Sequence, residues 1–81
     1  MINLTKIGKV THYYDKLGVA IIKPTKTIKI GDKIKFGEDG FEQTVDSMQF
    51  DHKAVEKASP GKEVGIKVEQ KVKEGTPVHS A

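Results

Sequence analysis

Three stretches of the chain repeat one seven-residue pattern: Ile28-Lys-Ile-Gly31-Asp-Lys-Ile34, Ala58-Ser-Pro-Gly61-Lys-Glu-Val64 and Val72-Lys-Glu-Gly75-Thr-Pro-Val78. In each stretch an apolar residue stands three positions before the glycine, and another stands three positions after it. Because glycine readily adopts positive φ, each stretch predicts a turn between two apolar side chains that enter the same core. Used three times in a short chain, the pattern predicts a small closed β structure.

The composition also favours β structure. The chain contains eight Ile, eight Val and six Thr, but only two Leu. Stiff β-branched side chains suit a pleated sheet, whereas a helical domain would rely on Leu and Ala. With 81 residues there is room for one core, so we expect a single domain over residues 1–81.

Alternating apolar residues and turn residues predict six strands in an all-β fold. The predicted strands are Thr5–Tyr14, Val19–Lys23, Lys33–Phe36, Phe41–Phe50, Glu63–Val68 and Pro77–Ser80. We expect them to form a closed antiparallel barrel, because closure leaves no free edge. The inward parity of Phe41–Phe50 changes near Asp46 and Ser47, which predicts a bulge or a corner. A polar turn is predicted at Glu38–Gly40, and residues 51–58 permit one helical turn capped by Asp51.

Several function classes lack their sequence signals. The absence of Cys excludes disulfides and thiolate metal sites and favours a reducing, cytoplasmic compartment. The longest apolar run, Val19–Ile22, is too short for a membrane helix, and the amino terminus lacks a signal-peptide core. His12, His52 and His79 lack metal-ligand spacing, and no phosphate-binding glycine motif occurs. We therefore expect no enzyme, no metal or other cofactor, no nucleotide and no membrane partner.

Positive charge is concentrated in the first part of the chain. Residues 1–35 contain eight Lys and two acids (+6), and residues 36–81 contain six Lys and nine acids (−3), which sums to +3. This predicts a basic face that attracts phosphates or an acidic protein, or one that only keeps the domain soluble. Because all basic residues are Lys, the chain lacks the Arg fork that reads guanine edges.

The segment Lys9–Lys16 is the strongest candidate for partner contact. Consecutive residues of a strand face opposite sides, so either Tyr13 or Tyr14 is expected outside in any register. An exposed ring beside a lysine can stack on an unpaired base or anchor a protein interface. The alternative interpretation is a ring that only shields the rim of the barrel.

The stretch Gly18–Phe36, with Met48-Gln49, Ala58–Val68 and Val72–Val78 following in order, resembles the second-domain β-barrel of translation GTPases such as elongation factor Tu. Together with Ile7–Asp15, it looks still closer to small stand-alone elongation-factor-like proteins and to the barrel appended to some collagenase-like peptidases. The resemblance covers nearly the whole chain. It implies a six-stranded barrel without a GTPase domain, and it places Lys23 near a basic residue that helps elongation factors hold transfer RNA.

Two hypotheses about function follow. In the first, a non-catalytic, translation-factor-like barrel binds RNA or a ribonucleoprotein through a basic face. The residues assigned to that face are Lys9, Tyr13, Lys16, Lys23, Lys26, Lys29, Lys33 and Lys35. In the second, the chain is a protein-interaction module that docks on a peptidase-like or modifying enzyme. An apolar interface centred on Tyr13 or Tyr14 would favour the second hypothesis.

Overall fold

The computed structural model describes residues 5–37, 40–51 and 53–80. The strands in these ranges are β1 Lys6–Tyr14, β2 Val19–Pro24, β3 Ile28–Lys29, β4 Lys33–Phe36, β5 Glu42–Thr44, β6 Met48–Phe50, β7 Lys53–Val55, β8 Lys57–Ala58, β9 Val64–Lys67 and β10 Pro77–Ser80. No helix forms over these ranges, and the all-β prediction is confirmed. The predicted turn residues Glu38 and Asp39 lie outside the described ranges, as does His52.

The main sheet is open, so the prediction of a closed six-stranded barrel is wrong. Eight antiparallel strands follow the order β5-β4-β10-β1-β2-β9-β6-β7, and β3 pairs with β8 in a separate ribbon. Strands β5 and β7 are the two edges. Only residues 45–47 join β5 to β6, and such a link spans at most about 14 Å. The sheet therefore curls until its two ends lie close together.

The predicted long strand Phe41–Phe50 explains the difference. Its first half, β5, pairs with β4, whereas its second half, β6, pairs with β7 and β9. Between them, Val45 leaves both ladders: its N–H donates to the Asp32 carbonyl, and its carbonyl accepts from the Gly31 N–H, each over 2.8 Å. The change of inward face predicted near residues 46–47 marks the point where one strand ends and the next begins.

The helical turn predicted over residues 51–58 is also wrong. Residues 53–55 form β7, which pairs with β6 as a hairpin, and residues 57–58 form β8. Asp51 has a φ of 53°, which suits a tight hairpin turn rather than a helix cap. The hairpin sets Val55 opposite Met48 at the core, and a single isolated helical turn offers no comparable pairing.

The three repeated glycine turns are confirmed. Gly31, Gly61 and Gly75 have φ of 94°, 84° and 89°. The apolar residues on either side of them are all buried: Ile28, Ile34, Ala58, Val64, Val72 and Val78. A Cβ built on any of the three glycines would meet no atom within 4 Å. Glycine is therefore required at these positions by backbone conformation rather than by lack of space.

Candidate protein-docking surface

A β-bulge in β1 decides which tyrosine faces solvent. Val10 pairs with Ile22 and His12 pairs with Ile21, so Thr11 is an extra residue between the two pairs. One inserted residue reverses the inside-outside alternation of the strand beyond it. Tyr13 consequently turns inward and packs against the core, while Tyr14 is 49% exposed.

The prediction that one of the two tyrosine rings lies outside is confirmed, but the exposed ring is the other tyrosine. Tyr13, which the sequence hypothesis assigned to the contact surface, is half-buried. Tyr14, which that hypothesis left out of its residue set, is the exposed ring. The sequence contains a hint in the adjacent polar residues Thr11 and His12, since a pair of polar residues inside an alternating strand is what a bulge would produce.

Apolar side chains extend from Tyr14 across the outer face of the sheet. Tyr14 pairs directly with Val19, and Ile21 lies two residues further along β2 on the same face. Leu17, in the turn that joins the two strands, is 67% exposed. We call Tyr14, Leu17, Val19 and Ile21 the apolar strip. A solvated sheet face is normally polar, so this set requires an explanation.

Gly65 on β9 shapes the apolar strip from the neighbouring strand. It pairs with Ile21, and a Cβ at this position would lie 3.1 Å from Val19 Cγ1 and 3.4 Å from Ile21 Cδ1. The two aliphatic side chains therefore lie over the glycine backbone, where both are half-buried. Here glycine is needed for close approach, in contrast to the three turn glycines.

Polar and charged groups surround the apolar strip. The His12 ring lies 6.4 Å from the Tyr14 ring, and His12 Nδ1 lies 3.3 Å from Glu74 Oε2. Exposed Lys67 pairs with Val19 from the other side. An apolar centre with a polar rim is the usual arrangement of a protein interface.

The structure brings together only part of the predicted basic face. Lys9 and Lys23 lie directly opposite each other on β1 and β2, and both line a concavity of about 440 Å³. Lys6, which the sequence hypothesis did not include, lines the same concavity with Thr11 and Thr25. Two like charges in directly opposed positions repel each other, so this place attracts anions.

The other five predicted lysines are not among the residues that line that concavity. Lys33 and Lys35 are on β4, where Lys33 Nζ lies 3.4 Å from Glu42 Oε2. Lys29 is on the β3 ribbon, while exposed Lys16 and Lys26 are in the segments that follow β1 and β2. The concavity therefore gathers two of the eight residues assigned from the sequence, Lys9 and Lys23.

Metal-ligating side chains do not cluster in the described part of the chain. No group of three His, Asp or Glu side chains within residues 5–37, 40–51 and 53–80 could hold a metal ion. Of the histidines that lack metal-ligand spacing, His12 is exposed and His79 is half-buried on β10. Over the same ranges, no helix is long and apolar enough to cross a membrane.

A fold of this kind is known from one domain of a protein described as a peptidase. The fold matches the crystal structure of the C-terminal domain of a protein of Geobacillus thermoleovorans described as a U32 peptidase. The TM-score is 0.87 at 20% identity, with 95% of this chain and 92% of that chain covered. The selenomethionine variant of that domain gives a TM-score of 0.87 at 19% identity, covering 93% of this chain and 98% of that chain.

The sequence is similar to an uncharacterized protease of Methanocaldococcus jannaschii, with 42% identity over 77 residues. The match covers 91% of this chain but 19% of the protease, so the chain spans about a fifth of that relative. No family model matches the chain. These findings support the resemblance to the barrel of collagenase-like peptidases, and they give no support to the resemblance to elongation factors.

Proposed function

We propose that this chain is a non-catalytic domain that docks on a peptidase-type catalytic domain through the apolar strip. The observation that carries the proposal is the apolar strip itself, which lies on the outer face of the sheet, away from the core. The core is already complete without it, since Val10, Ala20, Ile22 and Ile66 fill the inner face of the same strands. Exposed contiguous apolar side chains with a charged rim mark interaction sites.

The comparisons suggest the kind of partner. In the Methanocaldococcus jannaschii protease the matching segment is a minor part of the chain, so most of that protein is available as a partner for it. In the Geobacillus thermoleovorans protein the domain of the same fold is C-terminal. By analogy, a catalytic peptidase-like domain is the occupant that we assign to the apolar strip.

The test uses the Methanocaldococcus jannaschii protease without its matching segment as the probe. Calorimetry with this chain should detect association that changes little between low and high salt, because apolar contacts dominate it. Tyr14→Ser should weaken the association by about tenfold or more, as expected for an aromatic anchor.

Phe50→Ser is the matched control, since Phe50 is an exposed aromatic on β6, outside the apolar strip. It should leave the affinity unchanged. Equal losses of affinity for the Tyr14→Ser and Phe50→Ser variants would contradict the proposal. So would the absence of any association with the parent chain.

RNA binding is the second candidate, and one observation favours it. Lys6, Lys9 and Lys23 converge on one concavity, whereas the apolar strip offers nothing to a polyanion. The two candidates differ in their response to salt, because binding through lysines to phosphates releases counterions and weakens steeply as salt rises.

A further inference from the structure

A solvent-open cleft of about 800 Å³ lies where the β6–β7 hairpin divides. Beyond the pair Met48–Val55, one arm runs through residues 46–47 to β5, and the other runs through Glu56 into β8. Ile30 forms the third side, and its N–H donates to the Glu56 carbonyl over 2.9 Å. Three chain segments thus surround a space that none of them fills.

The walls of this cleft suit an apolar side chain. Met48, which is 1% exposed, lies at its base, and half-buried Val55 lies beside it. Ile30, which is 42% exposed, and exposed Ala54 also line the cleft. An aliphatic or aromatic group entering the cleft would remove the exposed parts of Ile30, Ala54 and Val55 from water.

The rim adds a charge preference. Lys29 and Lys57 line the cleft and lie directly opposite each other in the β3–β8 ribbon, which has only two residue pairs. Like charges in opposed positions destabilise a ladder, and a carboxylate placed beside them would relieve the repulsion. Among the residues that the structure describes, no ion pair within 4 Å includes either lysine. Asp46 and Glu56 also line the cleft and disfavour a second carboxylate.

The backbone at the cleft suits an extended peptide. Strand β7 is an edge of the main sheet and pairs with β6 on one side only. Ala54 and Val55 of β7 line the cleft, so a peptide that lies there runs beside this edge strand, and extended peptides commonly bind at such edges. A peptide strand also presents side chains on alternate sides, one of which can point into the cleft.

We propose that this cleft binds an extended peptide segment in which one acidic residue adjoins an apolar residue. The apolar side chain enters between Ile30 and Met48, and the carboxylate lies beside Lys29 and Lys57. The site is separate from the apolar strip, since Ile30, Ala54 and Lys57 belong to other strands or to the link after β3. Its occupancy does not depend on docking to a peptidase.

The experiment is a nuclear magnetic resonance titration of the full chain with two capped hexapeptides. One contains Glu next to Ile between Gly and Ser residues, and the other contains Lys in place of Glu. We expect the first peptide to bind more tightly and to shift the amide signals of Ile30, Ala54 and Lys57. Shifts confined to other parts of the sheet, or no shifts with either peptide, would overturn the proposal.

Two charge-reversal variants make the test specific. Lys57→Glu should lower the affinity for the Glu peptide by about fivefold and raise that for the Lys peptide, because it reverses the charge at the rim. Lys62→Glu makes the same change at an exposed lysine outside the cleft and should alter neither affinity. If Lys57 had only a structural role, Lys57→Glu would weaken the binding of both peptides alike. That result counts against the proposal. The spectra of both variants report whether the fold is retained.

Discussion

The side-chain amide of Gln43 donates a hydrogen bond of 2.8 Å to the main-chain carbonyl of Lys67. Its amide oxygen accepts a second one of 3.0 Å from the Glu69 N–H. Gln43 is on β5, one edge of the main sheet, whereas Lys67 ends β9, which is the third strand counted from the other edge. One buried side chain therefore replaces the backbone ladder that would have closed the barrel on this side.

Gln43→Leu should destabilise the fold by about 1–3 kcal/mol, measured by urea unfolding, because the Lys67 carbonyl and the Glu69 N–H would lose their partner. Gln43 is 6% exposed, so water would not fully replace the lost hydrogen bonds. Gln49→Leu, at an exposed position of β6, is the control and should change stability by less than about 0.5 kcal/mol. Similar losses for the two variants would show that Gln43 does not connect the two ends of the sheet.

The turn glycines give a prediction about backbone conformation alone. Gly61→Ala and Gly75→Ala should each cost about 1–2 kcal/mol of unfolding free energy, because an L-residue at their φ is strained. Open space surrounds both sites, so the cost has no contribution from a clash. Asn tolerates positive φ better than Ala. Gly61→Asn and Gly75→Asn should therefore recover part of the lost stability when all four variants are compared by thermal unfolding. Asn variants that are no more stable than the Ala variants would contradict this explanation.

Gly8 on β1 gives a prediction with a different cause. Its φ is not positive, so a larger residue there is disfavoured by lack of space rather than by backbone conformation. A Cβ there would lie 3.0 Å from Ile22 Cγ2, 3.1 Å from the Lys23 carbonyl oxygen and 3.2 Å from Pro24 Cα. Gly8→Ala should therefore destabilise by about 1–3 kcal/mol through overpacking, measured by chemical unfolding.

A second substitution separates this cause from a general intolerance of β1. Ile22→Val in the Gly8→Ala background removes one methyl group, although not the Cγ2 contact itself, and it lets the neighbouring side chains shift. The loss of unfolding free energy in the double variant should be smaller than the sum of the losses in the two single variants. Strict additivity would indicate that the two residues do not compete for space.

Local patterns predicted the elements that depend on neighbouring residues. The three glycine turns, the strand Lys33–Phe36 and the strand Pro77–Ser80 agree with the structure because turn chemistry and alternation act over a few positions. The pairing of each strand is a different matter. No local pattern near Asp46 and Ser47 indicates that the two halves of Phe41–Phe50 pair with different strands, because those strands are distant in the sequence.

The candidate site shows the same limit. Alternation alone requires one of Tyr13 and Tyr14 to face outward, and the bulge at Thr11 selects Tyr14. That bulge depends on how β1 fits against β2 and β10, which no local pattern records. The role of Gly65 is similar, because its neighbours Val19 and Ile21 are on another strand. Clustered lysines were predicted from charge alone, and only cross-strand pairing shows that Lys9 and Lys23 meet.

The final prediction separates the two candidate functions at that lysine pair. Binding of unfractionated transfer RNA, if it uses Lys6, Lys9 and Lys23, should fall roughly 20- to 40-fold between 50 and 200 mM salt, as three phosphate contacts require. The Lys9→Glu/Lys23→Glu double variant should then abolish RNA binding in a filter assay. Because these lysines lie outside the apolar strip, the same variant should associate with the truncated protease within about twofold of the parent chain at high salt, where long-range charge effects are screened. A double variant that loses the protease but retains transfer RNA would reverse both assignments.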